Sequence, residues 1–268
     1  PVVLAAGWEF GHEQAIQLNQ FIWFLIASIF LLLWENLSND LFDSETGVDE
    51  RSKPHSIVYL LGDKHKIRRL SSLALIFGLL LIYLLALRSD NRVFFLILAS
   101  CLLGYIYQGP PFRLGYQGLG EPLCWLAFGP LATAASLLVL SPTEVAQNNS
   151  IPWGMAMILG SGPALATTLV LFCSHFHQVK EDAAHGKKSP LVRLGTRKAS
   201  ILIPWLIAIT LALEWVPIIN GNLPLTAYLG IIGLPSAISL INLLKSHHNE
   251  PKVIKRSKFL ALKFQTLN

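Results

Sequence analysis

The chain has 268 residues, 53% of them hydrophobic and only 14% charged, with a mean hydropathy of +0.51. Soluble domains carry about 25% charged residues, so this composition excludes an ordinary soluble fold and indicates a multi-span membrane protein. The formal charge of +5 comes from 21 Lys and Arg against 16 Asp and Glu. The basic segments also contain acids and flank apolar runs, which argues against nucleic acid as a partner. Alternating apolar segments are absent, so a transmembrane barrel is excluded as well.

Seven apolar runs follow one another at about 17–34, 71–87, 93–107, 119–140, 151–174, 200–216 and 223–244. Each is near the ~20 residues that a bilayer requires. Residues 1–7 have the texture of a span already under way, and 259–267 that of a span just starting. The expected architecture is an all-α bundle of nine transmembrane helices around a central cavity, one integral-membrane domain over 1–268 with truncated first and last helices. Lys and Arg cluster after expected spans two, six and eight, and Arg113 follows span four, all on one side. Only Arg88 and Arg92 fall in opposite-side connections. Positive residues mark the cytoplasmic side, or the stromal side in a plastid. Cys101, Cys124 and Cys173 lie in apolar runs without metal or disulfide spacing and read as packing residues.

Directly after the run ending at Trp34 comes Asn39-Asp40-Leu41-Phe42-Asp43, then Gly47, Asp49, Lys53 and Pro54. A charge at bilayer depth costs at least ~2.5–3.5 kcal/mol, so carboxylates placed there face a polar cavity and serve function. Such a density of carboxylates suits a hard cation, and a hard cation suits phosphate. The four-residue step from Asn39 to Asp43 puts both on one helix face, with Asn36 one turn before Asp40.

The next connection on the same side runs Tyr105-Ile106-Tyr107-Gln108-Gly109-Pro110-Pro111-Phe112-Arg113 and continues through glycines to Glu121. Gly-Pro-Pro stops a helix, and Tyr107 and Arg113 suit an aromatic, acidic substrate. A third segment, Gln178-Val179-Lys180-Glu181-Asp182, leads to Gly186-Lys187-Lys188-Ser189-Pro190 and Arg193. It echoes the first: acids at a helix end, a glycine, then lysine and proline. His175 and His177, two apart, do not share a helix face. Two acidic faces across a cavity can hold Mg²⁺ with a diphosphate between them.

Together these residues resemble the UbiA superfamily of intramembrane prenyltransferases, whose members carry an Asn-x-x-x-Asp type motif after the second helix and an Asp-x-x-x-Asp type motif after the sixth. Asn39 to Asp49 and Gly186 to Thr196 resemble the MenA branch, which prenylates 1,4-dihydroxy-2-naphthoate. His175-Phe176-His177-Gln178-Val179-Lys180-Glu181-Asp182 is similar to its cyanobacterial and plastid form, whose donor is phytyl diphosphate. One departure stands out: Gln178 occupies the place of the motif's first aspartate, and Glu181 beside Asp182 is the nearest carboxylate that restores the charge.

The resemblance implies Mg²⁺, two ions bridging the diphosphate, with Asn39, Asp40, Asp43, Asp49, Glu181 and Asp182 as ligands. It implies a substrate set of Asn36, Asn39, Lys53, Tyr107, Arg113, Gln178, Lys187, Lys188 and Arg193, with Arg113 meeting the acceptor carboxylate. Asp43, Asp49, Asp182, Lys53 and Arg113 are then the catalytic candidates. The implied setting is a thylakoid or plasma membrane of a cyanobacterium, or a plastid membrane, with the site on the cytoplasmic or stromal side. The alternatives are another aromatic acceptor (homogentisate, 4-hydroxybenzoate or a chlorophyllide), a transporter, and a non-catalytic homologue. Transporter sites lie near the bilayer midplane on broken helices, whereas these acids gather at one face.

Overall fold

A computed structural model describes residues 1–13, 17–47, 56–141 and 150–268. Among the described residues twelve α-helices carry the fold: α1 (Val2–Glu13), α2 (Leu18–Thr46), α3 (Ile57–Leu61), α4 (Lys64–Ala86), α5 (Arg92–Gln108), α6 (Gly120–Leu140), α7 (Trp153–Ser174), α8 (Val179–Ala184), α9 (Pro190–Ile219), α10 (Leu234–His247), α11 (Pro251–Ile254) and α12 (Ser257–Leu267). Short 3₁₀ turns at 114–117, 176–178 and 225–233 join them, and no strand occurs among the described residues. The chain is an all-helical, multi-pass integral membrane protein.

Among the described residues six helices are long and apolar enough to cross a bilayer: Leu18–Thr46, Lys64–Arg88, Gly120–Leu140, Trp153–Ala184, Pro190–Ile219 and Leu225–His247. The seventh expected span, α5, has 17 residues and is therefore only about 25 Å long against a ~30 Å hydrocarbon core. Two local signals fix its ends. Asp90 Oδ1 accepts the Arg92 backbone N–H at 2.8 Å where α5 starts, and the Arg92 guanidinium bound to it holds the Asp90 carboxyl below its usual range. At the other end Gly109-Pro110-Pro111 ends the helix, because proline has no N–H to continue the ladder. The terminal segments are helical as expected, but α1 and α12 have 12 and 11 residues, each too short to span alone.

Among the described residues two large apolar cores build the molecule, with a small third cluster of Leu37, Val58 and Ile67. One joins Ala5 and Ala6 of α1, Phe24 and Ala27 of α2, Ile82 of α4, Val93 and Ile97 of α5, the buried end of α6, and Leu159 of α7. The other joins Leu169 and Phe172 of α7, Ile203 and Ile207 of α9, Leu240 of α10, and Phe264 of α12. Large apolar side chains such as Phe77, Phe95, Trp205 and Leu229 point outward, as lipid-facing residues do.

The seam between α6 and α7 is made of small residues. A Cβ on Gly160 would lie 2.4 Å from Thr133 Oγ1 and 2.9 Å from the Gly129 carbonyl, and one on Gly129 would lie 2.9 Å from the Ala164 Cβ. Gly129-x-x-x-Thr133 against Gly160-x-x-x-Ala164 is the small-residue pairing by which membrane helices approach closely. At Pro130 α6 takes one π turn, Ala127–Leu131, where the missing proline N–H breaks the ladder. Gly160→Ala is expected to cost about 1–3 kcal/mol by overpacking. Gly154, with nothing near its Cβ position, is the control. A thermal melt in detergent should show a lower Tm for Gly160→Ala alone.

Candidate active site

The apolar run ends at Trp34, but α2 continues to Thr46 and stops at Gly47, whose φ of 77° ends the helix in the left-handed region. The acidic motif is therefore helical, and Asn39 and Asp43 share a face as the spacing predicts. A cavity of about 630 Å³ opens along this face. Asn36, Asn39, Asp40 and Asp43 line one wall of its polar end, with Tyr107 and Gln108 beside them. His175, Gln178 and Lys187 form the facing wall. The rest is apolar, with Phe24, Leu25, Leu31, Ile97, Leu123, Phe128 and Leu171 among its lining residues. The two motif segments do face each other: a Cβ on Gly47 would sit 3.6 Å from His185 Nε2.

Asp43 anchors the first wall. It is 2% exposed. The Gln108 amide donates to its Oδ1, and the Tyr116 hydroxyl donates to the same oxygen at 3.2 Å. Burial, and then the Asp43 charge, push the Tyr116 phenol up, so it stays protonated and remains a donor. Asp40 Oδ2 accepts the Ile57 backbone N–H at 3.1 Å and so fastens the start of α3 to α2. The Asn36 amide donates to the Leu32 carbonyl at 2.8 Å. Asn39 Oδ1 is buried and has no hydrogen-bond partner.

On the second wall Lys187 is 4% exposed, and its Nζ lies 5.2 Å from the centre of the Tyr116 ring. Tyr116 thus touches both walls, donating to Asp43 and offering its ring face to Lys187. Its turn is clamped from the far side. The Lys188 backbone N–H donates to the Tyr116 carbonyl at 2.7 Å, and Arg193 donates to the carbonyls of Lys188 and Gln117. Gly118 closes that turn at φ 79°, where a Cβ would come within 2.5 Å of the Lys188 carbonyl; only glycine fits.

Asp182 takes a different position from the one expected of a ligand facing the cavity. It is 1% exposed, and its Oδ2 is held by His175 Nδ1 at 3.0 Å and Ser189 Oγ at 3.1 Å. His175 Nε2 points toward Glu121, 4.0 Å away. Neither Asp182 nor Glu181 lines the cavity. Gln178 does, so the second wall presents an amide, an imidazole and an ammonium in place of carboxylates.

The side chain of Arg113 pairs with Glu45 at 3.8 Å, with its guanidinium 5.9 Å from the Tyr116 ring centre. Arg113, Lys188 and Arg193 do not line the cavity; the last two are exposed and act as clamps, Lys188 through its backbone N–H and Arg193 through its guanidinium. Tyr107 does line it, its ring packed where Cβ atoms on Gly115 and Gly120 would each lie 2.6 Å away. Asp49 and Lys53 lie outside the described residues. Gln108 and Tyr116, the partners of Asp43, were not singled out by the sequence pattern. Gln108 precedes the Gly-Pro-Pro stop, and that position at a helix end beside the cavity was the available signal.

The first wall suits a hard cation. Asn39, Asp40 and Asp43 offer oxygen donors only, and the Asn39 acceptor is buried without a partner. Among the described residues no group of three or more His, Cys, Asp or Glu side chains forms a ready metal cage.

Comparison with known proteins places this arrangement. The UbiA prenyltransferase family model matches residues 1–263. The chain is 37% identical over 266 residues to a 2-carboxy-1,4-naphthoquinone phytyltransferase of Synechocystis sp., covering 98% of this chain and 83% of that protein. It is 35% identical over 269 residues to the chloroplastic 2-carboxy-1,4-naphthoquinone phytyltransferase of Arabidopsis thaliana, covering 100% and 70%. It is 28% identical over 220 residues to a 1,4-dihydroxy-2-naphthoate octaprenyltransferase of Mycobacterium tuberculosis, covering 77% and 70%. A solved structure concerned with digeranylgeranylglyceryl phosphate synthase in membranes superposes with a TM-score of 0.52 at 18% identity, covering 99% of this chain and 93% of that one, and supports the fold. With the family matched along nearly the whole chain and its motifs meeting across one membrane cavity, the chain belongs to the UbiA prenyltransferases and is an enzyme of that family.

Proposed function

We propose that the chain transfers a prenyl group, phytyl by analogy with the relatives named above, from its diphosphate to 1,4-dihydroxy-2-naphthoate, with loss of CO₂, in quinone biosynthesis. The observation that carries this reading is the cavity itself. Its polar end sets the carboxylate wall of Asp43 against the ammonium of Lys187, and its remainder is an apolar sheath of the kind a prenyl tail needs.

Asn39, Asp40 and Asp43 would hold Mg²⁺, joined by Asp49 from the adjoining segment. When bound, the ion neutralises diphosphate charge and eases cleavage of the allylic C–O bond. Lys187 binds the diphosphate from the opposite wall and stabilises the charge that collects on it as the bond breaks; Lys53 is a further cation candidate. Gln108 and Tyr116 hold Asp43 in place. The second wall presents Gln178, His175 and Lys187 at the cavity surface, with Asp182 held behind them by His175 and Ser189. The apolar walls keep water from the allylic cation. The ring carbon bearing the carboxylate bonds to the allylic carbon, the bond to the carboxylate breaks, CO₂ leaves, and its electron pair restores the aromatic ring. Tyr107 lines the space for the acceptor, and Arg113, at the rim beside Tyr116, meets the acceptor carboxylate.

In the membrane we read α1, α5 and α12 as completing a bundle of nine transmembrane helices. The basic connections face the cytoplasm or stroma, in a thylakoid, plasma or plastid membrane. The test supplies purified protein with Mg²⁺, phytyl diphosphate and one acceptor at a time, and follows products by mass spectrometry. Prenylated naphthoquinol with one CO₂ per turnover is expected. Prenylation of homogentisate or 4-hydroxybenzoate instead would keep the family reaction and replace the acceptor.

A further inference from the structure

Glu35 is a carboxylate inside a membrane-spanning helix, and neither motif accounts for it. It lines the cavity. It stands one helical turn before Asn39 and two before Asp43 on the same face of α2. With a rise of about 1.5 Å per residue, it lies roughly 6 Å deeper than Asn39. Its stem rests against α5, where a Cβ on Gly104 would be 3.9 Å from Glu35 Cγ. Cys101, Tyr107 and Cys124 line the same part of the cavity. Among the described residues its carboxylate has no hydrogen-bond or ion-pair partner, although every other carboxylate on this stretch of α2 from Asp40 to Glu45 has one.

An intramembrane carboxylate is expensive to keep and is satisfied by a partner or by a ligand. Here no described residue supplies a partner, and the side chain lines the cavity. The depth constrains the ligand. With diphosphate held between Asp43 and Lys187, the space one turn below is where the allylic carbon and the attacking ring must meet. A prenyl chain has no hydrogen-bond donor to offer there, whereas a hydroxylated aromatic ring does.

We propose that Glu35 is an acceptor-binding residue: its carboxylate accepts a hydrogen bond from a ring hydroxyl of the aromatic acceptor and so orients the ring toward the allylic carbon. The inference rests on the transferase reading above and adds a specificity determinant to it. A hydrogen bond to a charged group is worth about 1.5–3 kcal/mol, so its loss should appear as a roughly 10- to 100-fold effect.

The test measures acceptor and donor kinetics separately for the wild type, Glu35→Gln and Glu35→Ala, with 1,4-dihydroxy-2-naphthoate and its monomethyl ethers. Mg²⁺-dependent binding of a prenyl thiodiphosphate, by calorimetry, certifies that each preparation is folded and holds donor. Both variants should lose about 10- to 100-fold in kcat/KM for the acceptor while donor affinity stays within about twofold. The wild type should reject one methyl ether by a similar factor, and Glu35→Ala should no longer distinguish it from the parent acceptor. The ether comparison on wild-type protein needs no variant, so a variant that fails to fold does not spare the proposal. Equal acceptor kinetics in Glu35→Gln, or wild-type indifference to both ethers, overturns it. A wild type that binds the thiodiphosphate yet prenylates only another hydroxylated ring refutes the naphthoate assignment instead, and the same ether comparison on that ring then decides the role of Glu35.

Discussion

Asp43→Ala is expected to lower turnover by at least about 10³-fold, the scale on which single preorganised charge-stabilising groups act in a dry site. Asp43 is the most deeply buried carboxylate on the first wall. It is also the point where that wall connects to the rest of the site, through Gln108 from the end of α5 and Tyr116 from the following turn. Two losses are therefore combined in alanine: the negative charge for the cation, and the acceptor for two buried donors, each of which then carries a desolvation cost of about 1–3 kcal/mol. Asp43→Asn separates them. Asparagine keeps the size and one carbonyl acceptor, so its Tm should stay nearer the wild type while turnover falls almost as far as in alanine. Steady-state rates and melts on both variants check this. A turnover in Asp43→Asn within tenfold of wild type would mean that Asp43 serves packing and not charge.

Lys187→Met is the second large effect. Methionine retains the length and the apolar stem but removes the ammonium facing Asp43 across the cavity. Lys187 is the buried cation among the described lining residues, so no neighbouring charge replaces it. A loss of about 10²–10³-fold in kcat/KM is expected, because the charge it meets grows as the diphosphate departs. Its contact with the Tyr116 ring contributes on the order of 0.5–2 kcal/mol to holding the side chain in place, so some loss of stability accompanies the loss of rate. Lys188→Met is the internal control. Lys188 is exposed and fastens Tyr116 through its backbone N–H, which the substitution leaves intact; its kcat/KM should remain within about threefold of wild type, since exposed charges are heavily screened. Equal losses in the two variants would point to general surface charge in place of a specific diphosphate contact.

Much of the site was legible because helical periodicity is a local property. The four-residue step from Asn39 to Asp43 survives in the folded chain because α2 simply continues past Trp34, and Gly47 and Gly186 end their segments at positive φ as their positions suggested. The facing of the two motif segments was also foreseen, since both fall on the same side of the membrane by their basic residues. The choice of which side chains reach the cavity was not legible. Asp182 lies four residues beyond a 3₁₀ turn, Phe176–Gln178, and so in the first turn of the short α8 that follows it. That change of winding rotates it away toward His175 and Ser189 and leaves Gln178 and Lys187 at the surface. Partners from distant segments, Gln108 and Tyr116 for Asp43, depend on tertiary packing that no spacing rule contains. The apolar run at 93–107 became α5 to within one residue at each end, but apolarity alone does not reveal that the Asp90 cap and the proline stop hold it to 17 residues. Lys188 and Arg193 carry charges that suggested anion contacts, yet neither lines the cavity, and the Arg193 guanidinium is bound to two backbone carbonyls.

The central claim is that the mouth of the cavity binds a prenyl diphosphate through a cation held by the Asn39–Asp43 wall. The most direct measurement is titration calorimetry of the purified protein with a non-hydrolysable prenyl thiodiphosphate, in Mg²⁺ and again after chelation. Binding that requires Mg²⁺ and disappears in Asp43→Asn is the expected result. Equally tight binding after chelation, or full Mg²⁺-dependent binding in Asp43→Asn, would contradict it.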